Sequence, residues 1–329
     1  FFLQNNKGVF TDVTSKICPE LLHPGMVTAA VWTDFDNDHQ IDLVLAGEWM
    51  PLRFFKNNQG LLSEITTSTG LQQMYGMWRS LIASDIDNDG DMDFVAGNLG
   101  LNCPYRVSTS EPMQLFATDL DGNGSMDPIM FYFIKENEDK KQSFPSINRN
   151  QFAEQVSSIK KRYLLHKDFS NASYLDIFKG VKNHNIEKLY CDETRSCIFE
   201  NLGNAKFLKR ILPKEAQFSP INTILCLDVD NDGFKDLLLA GNEYQTEVKS
   251  GRYDASYGCY LKGGQNLSFE TIRPIESGFI VDGDVKDLAL IHLANGEKII
   301  LVAANNDSLT ALRIGNLPIP ITPQPRAHK

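Results

Sequence analysis

The chain of 329 residues has only 6 cysteines, 6 histidines and 3 tryptophans, and nowhere an apolar run long enough to cross a membrane as a helix. Six cysteines over this length exclude a small disulfide-built scaffold, and their spacing fits no zinc pattern. His23, His39, His166, His184, His292 and His328 fall in no common motif, and the Gly-x-Ser-x-Gly, His-Glu-x-x-His and phosphate-loop signatures are missing. Basic charge is short as well. With 32 Lys and Arg against 42 Asp and Glu the net charge is −10, which argues against a nucleic-acid partner. No low-complexity segment is present, and 42% hydrophobic content suffices for a large core, so the chain reads as a soluble globular protein.

What is abundant is one acidic phrase, written four times: Asp34-Phe-Asp-Asn-Asp-His-Gln-Ile-Asp42, Asp85-Ile-Asp-Asn-Asp-Gly-Asp-Met-Asp93, Asp119-Leu-Asp-Gly-Asn-Gly-Ser-Met-Asp127 and Asp228-Val-Asp-Asn-Asp-Gly-Phe-Lys-Asp236. Packing so many carboxylates into nine residues is unfavourable unless a hard cation joins them. Positions 1, 3, 5 and 9 carry oxygen side chains: Asp34, Asp36, Asp38 and Asp42; Asp85, Asp87, Asp89 and Asp93; Asp119, Asp121, Asn123 and Asp127; Asp228, Asp230, Asp232 and Asp236. Position 7 varies freely (Gln40, Asp91, Ser125, Phe234), as expected of a residue that offers only its backbone carbonyl. The expectation is up to four structural Ca²⁺ ions. Position 6 is Gly90, Gly124 and Gly233 in three loops and His39 in the first, which predicts a strained or weaker first site.

These are not EF-hands, because the bidentate Glu needed at position 12 is replaced by Leu45, Ala96, Met130 and Leu239. Each ninth-position Asp leads instead into a short run of strand formers, and Val27 to Trp32, Ser80 to Ser84, Leu115 to Thr118 and Thr223 to Leu227 precede the loops. The metal is therefore expected in a hairpin between two buried strands. Sixteen of the 42 acidic residues lie inside the loops, so four bound Ca²⁺ ions would bring the net charge from −10 to −2.

Cys191 and Cys197 bracket Asp-Glu-Thr-Arg-Ser, which reads as a hairpin turn that a disulfide could close, with two free thiols as the alternative; Cys18, Cys103, Cys226 and Cys259 read as buried free thiols. Millimolar calcium and a disulfide both point to an extracytoplasmic compartment. The first residues already read as a strand, a turn and a strand, without a signal sequence, which suggests a start inside a longer protein.

The loop starts lie 51, 34 and 109 residues apart, and a degenerate fifth copy, Val281-Asp-Gly-Asp-Val-Lys-Asp287-Leu-Ala-Leu, follows. A unit near fifty residues suggests the four-stranded blade of a β-propeller. The phrases Phe2 to Thr14, Phe54 to Thr66 and Phe199 to Phe207 echo one another and read as outer hairpins. In the long gap, Phe152, Val156, Ile159, Tyr163 and Leu164 fall at helical spacing, so residues 148–182 read as a helical insertion into one blade, whose Lys160-Lys161-Arg162 cluster reads as a solvated face, with contact to an acidic partner as the alternative. The expected architecture is all-β: a propeller of five to seven four-stranded blades over residues 1–316, with calcium-binding hairpin loops and the helical insertion, then a Pro-rich tail or linker over 317–329.

At these residues the chain resembles the FG-GAP/VCBS repeat propellers, in the branch related to cartilage acidic proteins and bacterial UnbV-like proteins, with integrin α heads as distant relatives. Its phrasing is similar to that of large surface or secreted proteins of Bacteroidota. The resemblance implies that calcium loops occupy one face of the disc and that Glu48 to Pro51, Asn98 to Arg106, the insertion, Glu243 to Gln245 and Arg252 to Asp254 occupy the other, joined by Met74 to Arg79. Trp49, Tyr75, Trp78, Arg79, Tyr105, Tyr244, Arg252, Tyr253 and Asp254 would then form a recognition surface for sugar or protein. In the alternative reading Trp49, Tyr75 and Trp78 plug gaps between blades.

The expected function is a calcium-stabilised, non-catalytic propeller that binds a protein or glycan at the cell surface or outside the cell, or serves as a module of a surface assembly, within a larger multi-domain or outer-membrane-associated protein. The alternative is a polysaccharide lyase or hydrolase on the same scaffold.

Overall fold

The computed structural model describes residues 1–135, 141–179, 186–247 and 250–315. The expected tail over 317–329 and residues 180–182 of the expected insertion lie outside the described residues. The chain is mostly β, in several antiparallel sheets, and divides into two compact units. No helix among the described residues is long and apolar enough to cross a membrane.

One unit comprises Phe1–Trp32, Gln40–Trp78 and Cys103–Thr194. It opens with the hairpin Leu3–Asn6 and Val9–Asp12, then sheet I, the consecutive strands Met26–Thr33, Asp42–Met50, Arg53–Asn58 and Leu61–Glu64. The link expected over Met74 to Arg79 contains a further short strand, Gly76–Met77, which pairs with Asp42–Met50. Sheet I buries Leu43, Leu45, Phe55 and Leu62 against Cys18 and Met50. Its first strand departs from expectation: most of Met26–Thr33 is exposed or half-exposed rather than buried.

Sheet II of the same unit runs in the order Lys141–Pro145, Asp127–Lys135, Met113–Thr118, Glu187–Cys191. Between the first and last of these lies the helical segment, as the spacing predicted, but broken into the short helices Arg149–Gln155, Ile159–Arg162, His166–Ser170 and Tyr174–Ile177. Asn148 caps the first of them in a reciprocal box with Gln151. Phe152, Val156, Ile159 and Tyr163 are buried with Phe116, Ile129 and Phe131 of the sheet, whereas Leu164 points to solvent because the helix has ended at Arg162.

The second unit comprises Thr33–His39, Arg79–Asn102 and Arg195–Lys329. Sheet III has the order Phe207–Ile211, Cys197–Asn201, Asp93–Gly97, Ser80–Ser84; sheet IV follows as Ile221–Leu227, Asp236–Gly241, Cys259–Gly264 and Ser268–Ile272, and sheet V as Val285–His292, Lys298–Ala304 and Thr310–Ile314. In sheet III, Phe94 pairs with Phe199, so the whole of sheet II lies in sequence between the second and third strands of another sheet. The insertion is larger than the predicted helices and includes the third acidic loop.

Sheet IV is covered on both faces. Leu237 and Leu239 join a core with Val95 and Ile198 of sheet III, while Leu238 and Ala240 pack with Val285, Leu288 and Val302 of sheet V. That explains the unbroken run Leu237-Leu-Leu-Ala240, since a strand buried on both faces has no reason to alternate. Each such leucine contributes about 2 kcal/mol of burial. The glycine ending three of these runs answers to close backbone approach: a Cβ on Gly97 would lie 2.3 Å from the Ile221 carbonyl oxygen, and one on Gly241 1.8 Å from that of Pro220.

Two expectations fail for reasons of pairing. Residues 192–196 do not turn a hairpin, because Glu187–Cys191 pairs with Met113–Thr118 and Cys197–Asn201 with Asp93–Gly97; Cys191 and Cys197 are both buried and are not joined by a disulfide. The degenerate fifth phrase joins no pair of strands either, because Val285–His292 is the first strand of its sheet.

Candidate metal centres

The second, third and fourth acidic phrases close antiparallel hairpins, with Ser84 opposite Asp93, Thr118 opposite Asp127 and Leu227 opposite Asp236, and the first lies between the neighbouring strands Met26–Thr33 and Asp42–Met50. Their turns share one hydrogen-bond scheme. The position 1 carboxylate accepts the amides of positions 5 and 6: Asp34 from Asp38 (3.1 Å) and His39 (2.7 Å), Asp85 from Asp89 (3.1 Å) and Gly90 (3.2 Å), Asp119 from Asn123 (3.1 Å) and Gly124 (2.8 Å), Asp228 from Asp232 (3.1 Å) and Gly233 (3.0 Å). Four loops of different sequence context reach the same conformation.

That conformation needs two left-handed residues. Position 4 has φ of 59° at Asn37, 63° at Asn88, 76° at Gly122 and 61° at Asn231, and position 6 has 66° at His39, 96° at Gly90, 87° at Gly124 and 91° at Gly233. Asn and Gly tolerate this region best, so His39 carries strain that the other loops avoid.

The scheme aims carboxylates at common points. Ligand oxygens of Asp34, Asp36 and Asp38 lie within 4.8 Å of one another, as do those of Asp85, Asp87 and Asp89, of Asp119, Asp121 and Asp127, and of Asp228, Asp230 and Asp236. Oxygens on opposite sides of a hard cation bonded at about 2.4 Å stand about 4.8 Å apart. The donor set is all oxygen and mostly charged, so each cluster could hold a metal ion.

The ninth-position aspartates also join the sheets. Asp42, Asp93, Asp127 and Asp236 are all buried. Asp42 accepts the Asn57 amide (2.7 Å), Asp93 that of Asn201 (2.8 Å) and Asp236 that of Gly263 (2.8 Å), each on the third strand of its sheet. Asp93, Asp127 and Asp236 also accept the position 2 amides of Ile86, Leu120 and Val229. Burial raises the Asp93 carboxyl to about 6 and raises Asp127 and Asp236 as well. Asp87 is raised by burial and by the charge of Asp89, whereas the Gly124 amide holds Asp119 below the usual range and the Phe234 amide does the same for Asp232. A cation among such groups favours their charged forms.

At position 7, Gln40 accepts the Gln59 amide at 2.6 Å, while the amides of Asp91, Ser125 and Phe234 donate to the position 5 side chains. Residues 34–96, which hold the first two loops and the strands between them, match a known repeat. Their profile is that of the FG-GAP-like repeat. Among curated proteins, none matches the chain. The matched FG-GAP-like segment covers the two loops whose position 4 and position 7 side chains meet, Asn37 donating to Asp91 at 2.5 Å.

The proposed ligand residues fall in both units. In the first, Trp49 and Trp78 are buried, which withdraws both from any ligand face; Trp49 sits with Met113 and Cys191 at φ of 61°. Half-buried Tyr75 accepts the amides of Asp192 (2.9 Å) and Glu193 (3.1 Å) on its carbonyl, and Tyr105 meets Tyr132 edge-on at 5.4 Å. In the second, the Arg252 guanidinium lies over the Tyr244 ring at 4.6 Å, Tyr253 exchanges two backbone hydrogen bonds with Glu243, and Glu243 meets Arg79 at 3.3 Å and Lys286 at 3.7 Å. Asp254 is exposed beside them in sequence.

Sequence reading missed the asparagines. Asn recurs at position 4 in three loops, and Asn57 and Asn201 recur in the outer hairpins, where their side chains reach the position 8 carbonyls of Ile41 (2.9 Å) and Met92 (3.1 Å).

Proposed function

We propose that the chain is a calcium-stabilised, non-catalytic β-propeller whose sheets are blades, and that it binds a protein or glycan outside the cytoplasm. One observation carries the calcium reading: four nine-residue loops with the same hydrogen bonds cluster their position 1 and 3 carboxylates with a third, from position 5 in the first two loops and from position 9 in the last two. The propeller reading draws on the FG-GAP-like match and on sheets III, IV and V packing in chain order through both faces of sheet IV. The ions are structural in this reading, with Asp34, Asp36 and Asp38 of the first loop and the position 1, 3, 5 and 9 side chains of the other three as ligands, because each donor set comes from one tight turn, and Asp93 and Asp236 also pin a neighbouring strand.

For recognition, the polar loop carrying Tyr244, Arg252, Tyr253 and Asp254 is the favoured surface: an Arg stacked on Tyr beside an exposed carboxylate offers both a flat apolar face and charged hydrogen-bonding groups. Chelation tests the metal: each site emptied from a hundredfold excess over Kd removes about 2.7 kcal/mol of stability. An unchanged melting temperature in EDTA overturns it. A glycan array and a pull-down from native surface extract, each with wild type and Arg252→Ala, test recognition.

A further inference from the structure

We propose that the fourth acidic loop carries its own tethered cation, the ammonium of Lys262, with which calcium must compete, so that this loop binds calcium more weakly than the second loop of the same unit. The inference rests on the calcium reading above and deepens it.

Lys262 lies on the third strand of sheet IV, and its ammonium pairs with Asp232 at 2.9 Å and with Asp230. These are positions 3 and 5 of the loop. The neighbouring amide of Gly263 is fixed on Asp236, position 9, at 2.8 Å. The register therefore places residue 262 over the carboxylates by backbone bonding, and the salt bridge is not an accident of a long flexible side chain.

The other sheets locate the same place. Asn57 donates its amide to Asp42 and its side chain to the position 8 carbonyl of Ile41, and Asn201 does the same with Asp93 and Met92. In sheet IV this place is Gly263, where a Cβ would stand 2.0 Å from the position 8 carbonyl of Lys235. Sheet IV has glycine where the other two sheets have asparagine, and its backbone runs too close to that carbonyl for a side chain. The preceding residue is Lys56 in sheet I, Glu200 in sheet III and Lys262 in sheet IV. Glu200 is held by Arg210 at 2.7 Å and adds a carboxylate near the second loop, which already has five aspartates against four in the fourth. Two loops with the same turn thus face opposite charge from the same register position.

A single positive charge within contact distance of two ligands opposes a divalent ion at the same carboxylates, and at high dielectric this is worth about tenfold in affinity. The fourth loop is then neutralised in part without metal, and the second is not.

Terbium luminescence can single out the fourth loop, because the Tyr260 hydroxyl donates to Asp236 at 3.1 Å and can sensitise an ion bound there. The component of luminescence lost in Tyr260→Phe reports this loop, and its displacement by calcium gives the affinity in wild type, Lys262→Gln and Lys262→Arg. The expected result is calcium bound about tenfold more tightly by Lys262→Gln, an unchanged affinity in Lys262→Arg, and a lower calcium-free melting temperature in Lys262→Gln. A purely structural lysine would lower the melting temperature without tightening calcium. Calcium affinity equal in wild type and Lys262→Gln overturns the inference and leaves the calcium reading standing. Absence of calcium binding in every variant overturns the calcium reading itself.

Discussion

The side-chain amide of Asn37 donates to the Asp91 carboxylate at 2.5 Å, joining position 4 of the first acidic loop to position 7 of the second. Asn88, at position 4 of the second loop, donates in turn to the Gly233 carbonyl at position 6 of the fourth, at 3.2 Å. Position 4 of the third loop is Gly122, which has no side chain with which to continue the series.

Removing the amide without disturbing the turn requires glycine, since Asn88 sits at φ of 63° and alanine would add backbone strain. Asn88→Gly is expected to lower stability by about 1 kcal/mol, one exposed hydrogen bond plus backbone entropy. It should also make the calcium titration of the second and fourth loops less mutually dependent. A double-mutant cycle with Asp228→Asn, read by calorimetric calcium titration, checks it; additive effects would show that the bond carries no coupling.

The acidic clusters were readable because their carboxylates recur at fixed offsets, whatever surrounds them. Asn37 and Asn88 were not read, because their role lies in the next loop along and only the neighbour reveals it. The same limit hid the insertion: Phe94 pairs with Phe199 across a hundred residues, and no local pattern announces a ladder of that separation. Asp192 to Ser196 looked like a turn for its polar composition, yet its flanking strands belong to different ladders. The family resemblance implied a ligand face for Trp49 and Trp78, with gap-filling as the alternative, and only packing decides that both are buried.

The Ala-Gly ending of the second strands predicts a steep steric response. A Cβ on Gly241 would stand 1.8 Å from the Pro220 carbonyl oxygen, which is backbone and has no rotamer to change. Gly241→Ala is expected to cost about 3 kcal/mol or more in denaturant unfolding, whereas Gly233→Ala, with open space around its Cβ, should cost only the strain of its φ of 91°. Equal losses at the two sites would contradict the close-approach account.

Arg53 and Glu64 provide a pH-dependent contribution in sheet I. Their contact at 2.5 Å, with a second bond at 2.9 Å, holds the Glu64 carboxyl below its ordinary value, the Arg53 hydrogen bond being the largest cause. A depressed carboxyl stabilises the fold above the unfolded value of about 4.3 and loses that contribution as pH falls through the folded value. Glu64→Gln should therefore lose about 1 kcal/mol at pH 7 and show a shallower decline of melting temperature below pH 4.5. A wild-type and variant pair with parallel acid profiles would assign the decline to other carboxylates.

His39 is the one non-glycine, non-asparagine residue among the eight left-handed positions of the four loops. Its backbone amide still donates to Asp34 at 2.7 Å, so the turn forms, and the cost falls on the φ of 66° that a Cβ disfavours by about 1–2 kcal/mol. Glycine would remove that strain, keep the amide, and lose about 0.5–1 kcal/mol to a more flexible unfolded chain. The balance favours His39→Gly by about 0.5 kcal/mol. Part of the strain relief should appear as tighter calcium binding at the first loop, because the donors of Asp34, Asp36 and Asp38 are set by the same turn. Melting in EDTA and in excess calcium separates the two effects: a gain larger in calcium than in EDTA places the strain at the binding-competent turn, and a loss in both would mean that the imidazole makes a contact worth more than the strain it imposes.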